Sequence, residues 1–316
     1  MTPVELSNPI YHDDEAARQH LEAVRWPNGP VCPHCGVTGE QVRPVAGNSM
    51  GPGWYYCEAC QDKFTVRTGA VYERSHIHLH KWVLGFRLMA SSKKGISAHQ
   101  LHRTLGITYK SAWFMAHRIR EAMDDSSVRA PLGGAGKVVE VDEMFLGTAD
   151  PEVVNGRVMR KRGYATKRKV VSLVERGGRA RSIKVEELNV QTIAKVLAEN
   201  IARESTIHTD EARHYTAPAK EFAGHEAVRH SIGEYARGDV TTNSVEGFFS
   251  IFKRGMVGVY QHCGEQHLQR YLNEFDFRYS NRIALGINDS ERTTLAIKGA
   301  EGKRLTYRRV NGRPAA

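Results

Sequence analysis

The chain has 316 residues, 45 Lys and Arg against 35 Asp and Glu for a formal charge of +10, and 41% apolar residues, which excludes collagen-like and wholly disordered chains. At roughly 150 residues per domain it provides for about two units, each with its own core. The best apolar run, Trp82 to Ala90, is cut by Arg87 and falls short of the ~18 residues of a membrane span. Met1 to Tyr11 has no basic lead and no apolar stretch, so a cytoplasmic protein is expected. The surplus of positive charge points to a polyanionic partner, nucleic acid first, and to no membrane.

The first chemistry-bearing pattern is a doubled pair of cysteines, Cys32 with Cys35 and Cys57 with Cys60. Two such knuckles bring four thiolates to the corners of a tetrahedron, the geometry of a closed structural Zn²⁺ site. Trp54-Tyr55-Tyr56 before the second knuckle and Lys63-Phe64-Thr65-Val66 after it read as strands of a zinc ribbon. The alternative is a redox pair or two disulfides, which would need an oxidising compartment. Cys263 is left over as an ordinary free thiol.

From about His76 to Met123 the pattern turns helical. Ser91 to Gly95 breaks the first helix. Ser97 opens the next, with Gln100 as its capping-box partner, and Gly106 ends it. Thr108 caps a third, whose Ala112, Met115, Ala116 and Ile119 form a stripe at helical spacing. The last two have the proportions of a helix-turn-helix, with Tyr109, Lys110 and Ser111 placed to face a DNA groove. A plain helical hairpin fits the same pattern. His76, His78 and His80, near a helix start, are expected to be solvated and receive no role.

A linker at Pro131 to Gly136 introduces a third block that reads as mixed α/β. Strands are expected at 137–145, 170–174, 180–188 and 206–210, with helices over 189–200 and from about Asn243. Residues 157–169 hold seven basic residues, among them Arg160, Lys161, Arg162, Lys167, Arg168 and Lys169, and no acid. Such a stretch tracks phosphates or forms a solvated hairpin. Asp142 lies within the first strand and Asp210 at the end of the fourth. An acid in apolar company is usually paired or bound to a cation. Glu246 follows Asp210 after 35 intervening residues, and Lys253 lies seven beyond it, two helical turns on the same face. Asn243 to Glu246 also reads as a capping box, with Asn243 the N-cap. The oxygens of these residues would serve a pair of hard divalent cations.

The spacing of Asp210, Glu246 and Lys253 resembles the DDE transposase and integrase superfamily. The whole order resembles one branch of it, the ISXO-like insertion-sequence transposases with an N-terminal zinc ribbon. The residues that carry the likeness are the two cysteine pairs, Val141-Asp142-Glu143, His208-Thr209-Asp210, Thr242 to Ser250 with Lys253-Arg254-Gly255, and His267 to Phe275 with Phe277-Arg278-Tyr279. They span roughly residues 15–285. In that branch the third catalytic position is an Asn or a Glu followed by a Lys, and this chain offers both Asn243 and Glu246.

The resemblance implies a ribonuclease H-like mixed-sheet catalytic domain, preceded by the ribbon and the helix-turn-helix. The expected division is residues 1–74 for an N-terminal helix and ribbon, 75–130 for the helical DNA-binding region, 131–285 for the catalytic domain, and 286–316 for a basic tail. It implies cleavage of double-stranded DNA at the element's terminal repeats and joining to a target. Two Mg²⁺ or Mn²⁺ ions would be held by Asp142, Asp210 and Glu246 or Asn243, with Lys253 on a phosphate. A homodimer or larger assembly would bring two ends together. The alternatives are a non-catalytic DNA-binding regulator and a structure-specific nuclease of the same fold.

Overall fold

The computed structural model describes residues 6–45, 50–124, 130–147, 152–154, 157–159 and 167–306. They form two compact units, one running up to Asp124 and resuming at Ile287, the other lying between Asp125 and Gly286.

In the first unit, helix α1 (Asp14–Arg25) starts at Asp13, whose carboxylate accepts from Ala16 N at 2.7 Å. The ribbon follows as three short antiparallel strands, β1 (Val42–Pro44), β2 (Tyr55–Cys57) and β3 (Lys63–Phe64). Trp26, just past α1, sets its ring edge-on to Tyr55 and Phe64 at 5.6 and 5.7 Å, so the end of α1 and the ribbon share one aromatic core. Helices α2 (Leu79–Ser91), α3 (Ala98–Leu105) and α4 (Tyr109–Ala122) complete the main run. Ser97 caps α3, Gly106 closes it in the left-handed region (φ 58°), and Thr108 accepts from Ser111 N to start α4. The two short helices read from the sequence are thus bounded by their own caps.

His78 and His80 are not merely solvated. Both imidazole Nδ1 atoms lie against the Asp14 carboxylate, at 2.6 and 2.8 Å, and the His80 backbone N–H donates to it at 3.1 Å. The carboxylate stands at the first turns of α1 and α2, where the exposed N–H groups favour an anion. An acid 64 residues upstream of His78 gives no local signal.

The second unit is a five-stranded mixed sheet. Its strands are β4 (Val138–Leu146), β7 (Arg168–Glu175), β8 (Ala180–Val185), β9 (Thr206–Thr209) and β10 (Gly224–Ala227), and a separate hairpin, β5 (Glu152–Val154) with β6 (Arg157–Met159), falls between β4 and β7. The spatial order is β10-β9-β4-β7-β8, with β4, β7 and β8 an antiparallel meander and β9 and β10 parallel to β4. Renumbered within the sheet this is 3-2-1-4-5, the ribonuclease H-like order. Helix α5 (Val190–Asn200) makes the crossover between β8 and β9, and the short α6 (Arg213–Thr216) follows β9. A small ribbon, β11 (Ala236–Arg237) with β12 (Val240–Thr241), leads into α7 (Asn243–Gly255), and α8 (Leu268–Ser280) comes after it.

Strand alternation distributes the core. Val139, Val141, Val171 and Leu173 pack with Ile193 and Leu197 of α5 on one face. Met144, Val170 and Val174 pack with Phe248, Phe249 and Phe252 of α7 and Leu272 and Phe275 of α8 on the other. Both faces are therefore buried under helices.

Helix α9 (Asp289–Lys298) belongs to the first unit and packs on α2. This corrects the expectation of a basic tail from 286. Asn288 and Glu291 form a reciprocal capping box, and Arg292, Thr293, Ala296 and Ile297 are buried. The Asn-x-x-Glu start was readable; the helix that covers it lies far away in the chain. Among the described residues no helix is long and apolar enough to cross a membrane.

Candidate active site

The two aspartates are carried by neighbouring strands of the sheet, Asp142 within β4 and Asp210 directly after β9. Parallel strands β4 and β9 pair Val138 with Thr206, Val139 with Ile207 and Glu140 with His208. The pairing ends there; Asp142 lies two residues further along β4 and Asp210 just past the end of β9, near enough that the charge of Asp210 acts on Asp142. Asp142 is half-buried and its Oδ1 accepts from Glu143 N at 2.7 Å. Burial, followed by the charges of Glu143, Asp210 and Glu246, pushes its carboxyl up to about 7. Asp210 caps the turn after β9, accepting from Ala212 N at 3.0 Å. Burial and the Glu143 charge raise its pKa too, against the opposing influence of His214 and His230.

Glu246 comes from α7. It is half exposed, accepts from the Thr242 hydroxyl at 2.7 Å, and has His230 Nε2 at 3.8 Å from its Oε1. Its charge reaches Asp142. Asn243 is exposed in the first turn of the same helix, and Lys253 is exposed two turns after Glu246, its Nζ 5.8 Å from the Phe249 ring. The expected capping box is not formed. Thr242 is the N-cap, with no side-chain cap bond, and Glu246 receives a hydroxyl rather than a backbone N–H.

The first turn of α7 is satisfied from the sheet instead. Glu140, two residues before Asp142 on the same face of β4 and fully buried, accepts from Ser244 N at 2.7 Å and Val245 N at 3.1 Å. Glu143 points to the opposite face, where Tyr215 donates a hydroxyl hydrogen bond to it and His214 Nε2 lies at 3.4 Å. Burial works to raise its pKa, but those hydrogen bonds outweigh it and hold the carboxyl low. Glu140, Glu143, Arg176, His208, His214, Tyr215 and His230 were missed by sequence reasoning. The run Glu140-Val141-Asp142-Glu143 carried a signal, since acids at i and i+2 of a strand share a face.

Asp142 carries the charges of three neighbouring acids, and carboxylate oxygens are the hard donors that Mg²⁺ and Mn²⁺ take. Among the described residues, two sets have ligand atoms all within 4.8 Å of one another: the four ribbon cysteines, and Asp14 with His78 and His80. The acids of the sheet are not drawn in that far. The cysteines fit a metal closely. Cys32 and Cys60 sulfurs lie 3.6 Å apart and Cys35 and Cys57 sulfurs 3.5 Å, against about 3.8 Å for the edge of a tetrahedron with Zn–S bonds of ~2.3 Å.

Tyr109 and Lys110 are exposed at the start of α4, with the Tyr109 ring stacked on His99 at 4.2 Å; Ser111 is half-buried and bonded to Thr108. Of the basic stretch, Arg160, Lys161 and Arg162 lie outside the described residues. Lys167 is exposed. Arg168 donates to the Cys263 carbonyl and Lys169 to that of Glu186 at 2.8 Å, so these two spend donors within the fold.

An ISXO2-like transposase domain matches residues 131–280, and a transposase zinc-ribbon domain matches residues 12–63. An uncharacterized protein in transposable element ISH50 of Halobacterium salinarum is 27% identical over 276 residues, covering 84% of this chain and 90% of that protein. Among solved structures, the Mos1 strand transfer complex is similar over 71% of this chain and 79% of its own, at 13% identity and a TM-score of 0.30. The mariner Mos1 paired end complex with Mg is similar over 66% and 75%, at 12% identity and a TM-score of 0.24.

Proposed function

We propose that this chain, which belongs to the ISXO2-like transposase family and carries a transposase zinc-ribbon domain, is the transposase of an insertion sequence that binds the element's terminal inverted repeats, cuts there and joins the freed ends to target DNA. The observation that supports the reading is that burial and the charges of Glu143, Asp210 and Glu246 all act on the Asp142 carboxyl, with β4 and β9 neighbours in the sheet.

Asp142, Asp210 and Glu246 are the residues that would hold two Mg²⁺ or Mn²⁺ ions. Bound there, such ions supply Lewis-acid activation of the attacking oxygen and stabilise the leaving oxygen of an in-line phosphoryl transfer. The chain's part is to present oxygens from three separate elements in a fixed arrangement. Glu246 is the better third ligand than Asn243, because its charge already reaches Asp142 and the Thr242 hydroxyl holds its carboxylate. Lys253, two turns after Glu246 on α7, would bind a phosphate next to the cut. Cys32, Cys35, Cys57 and Cys60 hold a structural Zn²⁺. Tyr109, Lys110 and Ser111 read the repeats, while the basic residues 160–162 and 167–169 add salt-dependent affinity for the backbone. The working complex is a dimer or larger on two DNA ends, in the cytoplasm.

The test is cleavage and joining of duplexes carrying the element ends, in Mg²⁺ and in Mn²⁺. Asp142→Asn and Asp210→Asn should each lower both steps by about 10²–10³-fold or more while repeat binding persists. Glu246→Gln should do the same and Asn243→Ala much less. Wild-type levels of cutting in either aspartate variant would overturn the site. Specific binding with no scission by the wild-type chain in either metal would leave a DNA-binding regulator.

A further inference from the structure

The three segments that bear the candidate metal ligands meet at one ion pair whose carboxylate is buried. Glu140 has a fully buried side chain, and its Oε1 accepts from Arg176 Nε at 3.1 Å and Nη2 at 2.9 Å. The same carboxylate accepts from Ser244 N, Val245 N and the Ser244 hydroxyl, the last at 3.0 Å. Arg176, in the turn after β7, goes on to the Asp239 carbonyl at 2.8 Å, the Thr241 hydroxyl at 3.2 Å and carbonyl at 3.4 Å, and has His208 Nδ1 3.3 Å from Nη2. Glu140 stands two residues before Asp142, and His208 two before Asp210. Ser244 and Val245 directly precede Glu246 in the first turn of α7.

We infer that Glu140 and Arg176 are positioning residues whose ion pair sets the spacing of Asp142, Asp210 and Glu246, and with it the affinity of the site for divalent cations. The inference rests on the function proposed above. Holding the sheet to α7 needs no charge: Met144, Val170 and Phe252 already do that with apolar contacts on the same face. A carboxylate removed from water is tolerated only when its lone pairs are filled in a fixed geometry, so this pair favours one arrangement of its partners. It also fills the N–H groups of α7 that the helix leaves without a side-chain cap of its own. Neither residue needs to touch a metal. Partners that orient metal ligands from behind typically change metal affinity or activity by 10–100-fold when altered.

The experiment is Mn²⁺ binding to the intact, zinc-loaded chain, followed by calorimetry and by electron paramagnetic resonance, for wild type, Glu140→Gln, Arg176→Lys and Asp142→Asn. Glu140→Gln should raise the Mn²⁺ dissociation constant about 10–100-fold. Zinc content, far-UV circular dichroism and metal-free repeat binding should be unchanged, and cleavage should recover at high Mn²⁺. Arg176→Lys keeps the charge and loses the planar fork, and should shift the constant in the same direction. Because Arg176 is one-third exposed, with 34% of its side chain open to solvent, it carries the test if Glu140→Gln does not fold. Folded variants that bind Mn²⁺ as wild type does, or that lose cleavage without a shift in Mn²⁺ dependence, would overturn the positioning role. If Asp142→Asn also binds Mn²⁺ normally, the metal site itself is wrong; if only Asp142→Asn loses binding, the pair alone is.

Discussion

Burying an acid among other acids costs the fold stability, and the cost at Asp142 can be worked out. Its carboxyl is raised from the usual 3.8 to about 7 by burial and by Glu143, Asp210 and Glu246. The folded chain therefore holds that proton about three units higher in pH than the unfolded chain does. The sign follows: this contribution to stability is complete below pH ~4 and is lost as pH rises through about 7. At ~1.36 kcal/mol per unit, about 4 kcal/mol separates the two ends. Asp142→Asn removes the charge without changing the shape, so in the Mg²⁺-free chain at pH 8 it should stabilise the sheet unit by about that amount and flatten its pH dependence. The readout is native-state hydrogen exchange of β4 and β9 peptides at pH 5 and 8, corrected for intrinsic rates, with zinc retained. All four tryptophans, Trp26, Trp54, Trp82 and Trp113, lie in the first unit, so their fluorescence checks separately that this unit is unchanged. Added Mg²⁺ should protect wild type at pH 8 and leave the variant unaffected. A variant no more protected than wild type at pH 8 would refute the reasoning.

Three further outcomes are expected. Cys57→Ser should lose the zinc and shift Trp26 emission to the red, because strands of two or three residues cannot hold the Trp26–Tyr55–Phe64 core without metal; an unshifted spectrum in zinc-free protein would count against the ribbon. Asp276→Ala should cost at least about 1–3 kcal/mol in urea unfolding, since buried Asp276 accepts from Ser182 N at 2.7 Å and Ser182 Oγ at 2.8 Å and ties α8 to β8. Gly106→Ala should lower the first unit's stability by about 1–2 kcal/mol through its left-handed backbone alone, as no atom lies within 4 Å of the added Cβ; a thermal melt followed by tryptophan fluorescence measures it.

Local chemistry made part of this molecule legible. The cysteine spacing, the caps at Ser97 and Thr108, Gly106, and the alternation in β4 and β7 each act within a few residues, so sequence alone locates them. The same logic placed Asp142 on a strand and Asp210 at a strand end, but that β4 and β9 are neighbours in the sheet is a long-range fact no local pattern encodes. The capping box at Asn243 shows how a local rule loses to tertiary structure. Asn243 and Glu246 have the right spacing, yet a buried carboxylate from β4 fills the helix's N–H groups and leaves Glu246 with the Thr242 hydroxyl, its charge reaching Asp142. Had Glu246 folded back onto its own helix it would have been unavailable to a cation. Supplying the cap from Glu140 leaves the Glu246 carboxylate off its own helix, and it does so from a position two residues before Asp142, so that one strand bears one proposed ligand and leaves the other available. The cost is a fully buried charge, which Arg176 offsets from the next strand's turn.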